Sequence, residues 1–173
     1  MRTKWLAIAP LALALAFSNC GYHTAGKGSQ LPPTVKTIAV PSFVNQTQTY
    51  HVETRLTEAV VREFNTRTRY KIVSKEENGD AVLRGTVTSA QTVPVTYDSR
   101  TGQVSTSLVT VAMKVTLTSR DGRVLYDNPN YIFREQYQIA RETASFFEEQ
   151  GPALDRLSRD FARTLVSNIL EAF

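Results

Sequence analysis

The stretch Val109-Thr110-Val111-Ala112-Met113-Lys114-Val115-Thr116-Leu117-Thr118 decides the fold, because apolar and polar residues alternate along its whole length. An alternation with a period of two residues is typical of a β-strand that is buried on one face only. The segments before and after it, Leu83 to Tyr97 and Tyr131 to Ile139, alternate in the same way. Turn residues separate the three segments, namely Ser99-Arg100-Thr101-Gly102 and Asp121-Gly122. We therefore predict an antiparallel meander of three strands.

Two helical patterns flank this meander. Apolar residues recur at four-residue spacing at Val52, Leu56, Val60 and Phe64, which predicts an amphipathic helix from about Tyr50 to Thr66. A second helix is predicted to begin at Gly151-Pro152, since proline suits the first helical position. Its apolar stripe consists of Leu154, Leu157, Phe161, Leu165 and Ile169.

Two short β-branched segments, Val35–Val40 and Tyr70–Ser74, complete the pattern as further strands. The expected fold class is α+β. It is a two-layer α/β sandwich, with two helices packed on one face of a mixed, mostly antiparallel sheet of four to five strands. We expect Leu157, Phe161, Val60 and Val111 to meet in its core.

The first residues predict export. Arg2 and Lys4 precede an apolar run from Trp5 to Phe17, which is shorter than the roughly 20 residues needed to span a bilayer. This arrangement is typical of a secretory signal peptide over residues 1–19. Cys20 follows as the only cysteine, so an internal disulfide is excluded and lipid attachment such as palmitate is predicted. A free thiol is the alternative interpretation, and Phe17 and Asn19 depart from the usual lipobox.

Residues 20–34 are rich in Gly, Thr, Ser and Pro, and we interpret them as a lipidated tether. Residues 35–173 are then a single domain. Removing residues 1–19 leaves 154 residues with 18 basic and 16 acidic side chains. This small positive net charge gives no reason to expect binding to nucleic acid. The two histidines, His23 and His51, do not form a metal-ligand pair, and no phosphate-binding loop is present in the sequence. We expect no enzyme activity, no metal and no cofactor.

The polar side of the predicted meander is the first candidate site. Threonine dominates it and charges are few, so it could be buried against another polar surface without stranding charges. The alternative is that threonine simply favours strands. Apolar positions Leu83, Val87, Val93, Val95 and Tyr97 are expected on the opposite, core side of the first segment. The predicted docking positions are Thr86, Thr88, Thr110 and Thr116.

Three turn arginines are the second candidate. Arg100 lies in the first predicted turn, and Arg120 and Arg123 flank the second. Guanidinium groups bind phosphates through charge-assisted hydrogen bonds, so these residues could contact an anionic ligand. Turn arginines that are only solvated are the alternative.

Several motifs, in their order along the chain, resemble the LptE family of lipopolysaccharide-assembly lipoproteins. Cys20-Gly21-Tyr22-His23 is similar to the opening of the mature family members, and residues 35–47, VKTIAVPSFVNQT, to their first strand and the loop after it. Leu56-Thr57-Glu58-Ala59-Val60 resembles the helix that follows. Residues 80–87, DAVLRGTV, resemble a strand with the pattern Ala-Asp-x-x-Leu-x-Gly, although here Asp80 precedes Ala81. The resemblance extends through Val95-Thr96-Tyr97-Asp98 to the closing helix.

The resemblance implies a lipoprotein on the periplasmic side of the cell outer membrane. Family members sit inside the lumen of the outer-membrane β-barrel LptD, assist its assembly and help to deliver lipopolysaccharide to the outer leaflet. LptD and lipopolysaccharide are therefore the expected partners. The expected lipopolysaccharide contacts are Arg100, Arg120 and Arg123, which are inferred from their positions in turns and not from the resemblance. The strand Ile38-Ala39-Val40-Pro41-Ser42-Phe43 also resembles lipoproteins of secretion channels or activators of cell-wall synthases, which are the alternative.

Overall fold

The computed structural model describes residues 31–139 and 150–173. Cys20, the predicted signal peptide and most of the predicted tether lie outside these residues. The elements, numbered here in chain order, are β1 (Thr37–Ala39), β2 (Val44–Asn45), α1 (Val52–Arg67), β3 (Lys71–Val73), a 3₁₀ turn (Glu76–Asn78), β4 (Ala81–Tyr97), β5 (Val104–Ser119), β6 (Val124–Gln138) and α2 (Gln150–Glu171).

The strands form one mixed sheet. Its main path runs β3-β1-β4-β5-β6, and β2 pairs with β4 beside the end of β1. β1 is parallel to β3 and β4, whereas β4, β5 and β6 form the antiparallel meander. The predicted α+β fold is therefore confirmed, with six strands in place of the four to five expected.

The two helices lie side by side and run in the same direction. Near their N-terminal ends Arg55 of α1 forms an ion pair with Asp155 of α2, and near their C-terminal ends the Arg67 guanidinium donates to Ser167 Oγ at 2.6 Å. α2 also crosses β6, where Arg156 Nε donates to Glu135 Oε1 at 2.6 Å. Together the helices form one layer over one face of the sheet, as predicted.

The core lies between this layer and the sheet. Val60, Val111, Leu157 and Phe161 are all buried, which confirms the predicted helix faces. The Phe161 ring packs edge-on against Phe133 of β6, with 5.1 Å between the ring centroids. Leu31 is also buried, and its backbone N–H donates to the Tyr70 hydroxyl at 3.0 Å. Packing therefore begins four residues before the predicted domain boundary at Val35.

A register shift at Thr88 changes which face the second half of β4 presents. Val87 pairs with Met113 and Ser89 pairs with Ala112, so Thr88 is an extra residue in β4. Beyond such a bulge the alternation of faces is inverted. Val93 consequently pairs with Leu108 on the opposite face. Val93, Val95 and Tyr97 are all exposed, so the prediction that they share the core face of Leu83 and Val87 is wrong.

The loop that leaves β2 is held by the side chain of Asn45. Its amide donates to Thr49 O at 2.9 Å and to Glu53 Oε2 at 2.8 Å, and its oxygen accepts from Thr47 N at 2.8 Å. These bonds lead the chain into α1 at His51, which has a left-handed φ of 57°. The strand β2 was not predicted, since two residues are too few for periodicity to be visible.

Candidate functional site

The sheet face opposite the helices is the candidate site, and we call it the open face. In the antiparallel part of the sheet, directly paired residues point to the same side. The buried positions of β5 point toward the helices, so their alternates belong to the open face. Its main members are Val44, Arg84, Thr86, Gln91, Val93, Thr106, Leu108, Thr110, Ala112, Lys114, Thr116, Asp127, Ile132, Arg134, Gln136 and Gln138.

Three of the four predicted docking threonines lie in register on the open face. Thr110 pairs with Gln91 on one side and with Arg134 on the other, near the middle of the face. Thr116 pairs with Arg84 and Asp127. Thr86 pairs with Lys114 of β5. The alternation in the sequence therefore placed these side chains correctly.

Thr88 has a different environment, because it occupies the bulge of β4. Its hydroxyl donates to Ala112 O at 3.1 Å across the strand pair, so the side chain supports the bulge itself. Thr92, which the predicted alternation of the segment Leu83 to Tyr97 also assigns to the polar side, pairs with Val109, whose side chain is buried beneath the helices. Thr92 therefore lies on the helix side of the sheet, beyond the helical layer, where it is exposed.

Most of the open face is uncharged, but its charges are mainly positive. Lys114 and Arg134 are exposed, and neither forms an ion pair with any residue in the described ranges. The one carboxylate in the strands of this face, Asp127, accepts a hydrogen bond from Thr116 Oγ1 at 2.8 Å. The face could therefore meet a polar surface that offers hydrogen bonds and a few carboxylates.

Apolar side chains interrupt the polar surface. Val44 is 56% exposed, Val93 46% and Ile132 45%, although each belongs to a strand of the sheet. Scattered exposed apolar residues are ordinary on a soluble surface. Here they lie on the same face as Lys114 and Arg134, so the face combines apolar, neutral polar and cationic contacts.

One end of the open face is covered by the chain itself. The 3₁₀ turn places Glu76 against Arg84, whose Nε donates to Glu76 Oε1 at 3.0 Å and whose pKa is raised by this bond. Gly79 packs so closely on Ala39 that a Cβ there would lie 2.7 Å from the Ala39 Cβ. The uncovered part of the face therefore begins beyond Arg84.

The three predicted anion-binding arginines do not form one cluster. Arg100 lies in the turn between β4 and β5, whereas Arg120 and Arg123 lie in the turn between β5 and β6. The sixteen residues of β5 separate the two turns, a distance of roughly 50 Å at 3.3 Å per residue. Any contact with an anionic ligand would thus involve two separate places.

Carboxylates accompany the two arginines of the second turn. Arg123 Nε donates to Asp121 Oδ2 at 2.8 Å, and hydrogen bonds from the backbone and side chain of Arg123 lower the pKa of Asp121. Asp80 accepts from the backbone N–H groups of Lys36 and Thr37 at 3.0 and 2.9 Å. These bonds, helped by the charge of Arg120, lower the pKa of Asp80. Arg100 has no such ion pair within the described part of the chain.

Lys114 and Arg134 are the candidate residues that the sequence reading missed. Both were visible in the polar half of the alternation, but their neighbours in space depend on strand register. Within residues 31–139 and 150–173, no group of three or more His, Cys, Asp or Glu side chains could hold a metal ion. The helices in these same ranges include none that is long and apolar enough to cross a membrane.

The fold is similar to several solved structures. Lipoprotein B from Nitrosomonas europaea is 14% identical with a TM-score of 0.54, over 84% of this chain and 88% of that chain. A protein from Xanthomonas campestris is 18% identical with a TM-score of 0.51, over 79% and 84% of the two chains. A Chlamydia trachomatis protein is 8% identical with a TM-score of 0.50, over 77% and 96%. At these identities the similarity shows the fold alone.

The sequence itself identifies the family. A search of curated proteins gave no match. The family model described as LptE, lipopolysaccharide-assembly, matches residues 35–169, which run from two residues before β1 nearly to the end of α2. Most of the chain and nearly every element described above fall inside this match, and the chain therefore belongs to the LptE family of lipopolysaccharide-assembly proteins.

Proposed function

We propose that this protein is a lipid-anchored, non-enzymatic factor of lipopolysaccharide assembly at the outer membrane. In this proposal it plugs the β-barrel LptD from the periplasmic side through its open face. Membership of the LptE family supports the proposed role in lipopolysaccharide assembly. The observation that carries the docking proposal is the open face, since the helices cover the other side of the sheet and leave this one uncovered beyond Arg84.

The composition of the open face suits a barrel interior. The lumen of a transmembrane barrel is polar, so a partner inside it must bury polar groups without leaving them unpaired. Threonine hydroxyls can donate and accept hydrogen bonds and carry no charge that would have to be desolvated. A permanent interface of this kind commonly buries about 2,000 Å² or more, which requires most of a sheet face.

A charge at the centre of the open face tests the docking. Thr110→Glu places a carboxylate between Gln91 and Arg134, where the isolated domain should tolerate it because strand residues at this face are partly solvated. We expect capture of LptD from solubilised outer membranes to fall, with an unchanged melting temperature. Thr164→Glu, on the exposed side of α2, is the matched control and should capture LptD normally. Equal capture by both variants would remove the open face from the proposal.

The anchoring proposal has its own test. Cys20→Ala should abolish incorporation of labelled palmitate, because Cys20 is the only thiol in the chain. The domain should still fold, since the buried residues of the described core begin at Leu31. Palmitate labelling that persists in Cys20→Ala would contradict the assignment.

Lipopolysaccharide contact by the turn arginines remains a proposal, and the two turns must be tested separately. Arg100→Gln changes one end of the sheet, and the double variant Arg120→Gln/Arg123→Gln changes the other. A variant at a phosphate contact should bind lipopolysaccharide more weakly and with a smaller salt dependence. Wild-type affinity in both variants would exclude these arginines as contacts.

A further inference from the structure

A basic groove lies at the end of the domain where the described chain begins. It has a volume of about 740 Å³ and is formed where α1 ends, with Leu170 of α2 on its other side. Its lining residues are Val35, Lys36, Arg67, Thr68, Arg69, Tyr70 and Leu170. Three of these are cations and none is an acid. With the adjacent exposed Lys71 we call Lys36, Arg67, Arg69 and Lys71 the basic end.

Among the residues that the structure describes, only one cation of the basic end has an acidic partner within ion-pair distance. Arg67 lies 3.7 Å from Glu63 and also donates to Ser167. Lys36, Arg69 and Lys71 form no ion pair with the described residues. A cation in the last turn of a helix is stabilised by the helix dipole, which explains a positive charge at Arg67. Lys36, Arg69 and Lys71 lie outside the helices, so the dipole does not explain their positive charges.

The basic end is separated from the proposed lipid attachment site by only a short length of chain. Leu31, the first described residue, is fixed to this end by the hydrogen bond from its N–H to the Tyr70 hydroxyl. Cys20 precedes Leu31 by eleven residues. Whatever its conformation, a segment of that length spans at most about 40 Å.

We propose that the basic end is a membrane-contacting surface that binds the anionic phospholipid headgroups around the lipid anchor. The inference rests on the proposed anchoring at Cys20, which keeps this end of the domain near the bilayer. Lysine and arginine close to an anionic surface each add attraction. The contact orients the domain with its basic end toward the bilayer and the turn at Arg100, some 50 Å away along the strands, pointing away from it.

The test uses the mature, lipidated protein in nanodiscs of pure phosphatidylcholine or of phosphatidylcholine with 30% phosphatidylglycerol, a composition of about one anionic lipid in three. Lipids with a gadolinium-chelating headgroup broaden the amide signals of residues that approach the membrane surface. We expect selective broadening at Lys36, Arg69 and Lys71 in the anionic discs, and much less in the neutral discs or at high salt, where charges are screened within a few ångströms. The turn at Arg100 should stay sharp in both.

A matched pair of variants isolates the charge. Arg69→Gln/Lys71→Gln removes two cations of the basic end, and should lower the equilibrium constant for contact with anionic discs by about 30-fold, at about 1 kcal/mol for each cation. Arg62→Gln/Arg159→Gln removes two exposed arginines from the outer side of the helical layer and should leave the broadening unchanged. Equal broadening in neutral and anionic discs, or an equal effect of the two variants, would overturn the inference.

The result is independent of the docking proposal, because LptD is absent from the discs. Mass spectrometry of the purified protein reports the lipid on Cys20 directly. Protein without lipid would refute the anchoring, whereas lipidated protein without selective broadening in the anionic discs would refute only the role of the basic end.

Discussion

Replacement of Phe161 by alanine measures how much the second helix contributes to the core. The Phe161 side chain is 0% exposed, and its ring meets Phe133 at 5.1 Å and Tyr131 at 5.9 Å, both edge-on. Truncation of a buried phenylalanine costs about 3–5 kcal/mol, which includes the cavity left behind. In a domain of this size each kcal/mol lowers Tm by about 2–4 °C, so Phe161→Ala should lower it by about 6–20 °C.

The chain contains its own control for this experiment. Phe173 follows α2 and is 42% exposed, so Phe173→Ala should change the free energy of unfolding by no more than about 0.5 kcal/mol. Thermal unfolding of both variants, followed by circular dichroism at 222 nm as an α-helix signal, gives the comparison. A Phe161→Ala transition within error of the wild type would show that α2 does not pack on β6 through this ring.

Three further predictions concern the free energy of unfolding. Because the pKa of Asp80 is lowered, its contribution to the free energy of unfolding is present above about pH 4 and is lost as the pH falls through the native pKa. Asp80→Asn should therefore reduce the dependence of Tm on pH in melts recorded between about pH 2 and 6. Burial, with a bond to the Tyr126 hydroxyl, raises the pKa of Tyr131 to about 12. Stability should therefore decline between about pH 10 and that value, and urea midpoints of Tyr131→Phe should decline less. A Cβ at Gly85 would lie 2.8 Å from the Phe43 ring, so Gly85→Ala should cost about 1–3 kcal/mol in urea unfolding, and less when combined with Phe43→Leu.

Periodicity predicted the layers of this fold because each layer is amphipathic over many residues. Val52, Leu56, Val60 and Phe64 are buried, as their four-residue spacing indicated. The ten residues from Val109 to Thr118 alternate without interruption, and no register shift puts an extra residue into this part of β5. In such segments the burial of side chains and the backbone geometry impose the same period.

The errors arose where one residue changes the register. Thr88 inverts the faces of β4, and nothing in the composition around it marks a bulge. The third strand begins at Val124, seven residues before its predicted start at Tyr131, because a register shift near Asn128 hides the alternation. Lys114 and Arg134 could be assigned to the polar side of their strands from the sequence. That they share a surface with Val44 depends on the register of the pairs β2–β4, β4–β5 and β5–β6.

The candidate site was predictable only in part for a related reason. Thr86, Thr110 and Thr116 are placed by local alternation, and the structure brings them to one face. The separation of Arg100 from Arg120 and Arg123 follows directly from the length of β5, once the meander is accepted. The basic end joins Lys36 to Arg69 through the parallel pairing of β1 and β3, where Lys71 N donates to Lys36 O at 3.0 Å. A pairing between residues so far apart has no local signature.

The parallel pairing of the two helices has a consequence for the order in which the chain can fold. Arg55 and Asp155 are 100 residues apart in sequence, as are Arg67 and Ser167, so α1 acquires its neighbour only when the last segment of the chain is available. Until then the apolar side of the meander at Val111 and Phe133 lacks the covering that α2 provides. Contacts of such high sequence separation slow folding. We therefore expect the apolar side of the meander to be covered only after α2 has become available to fold against it.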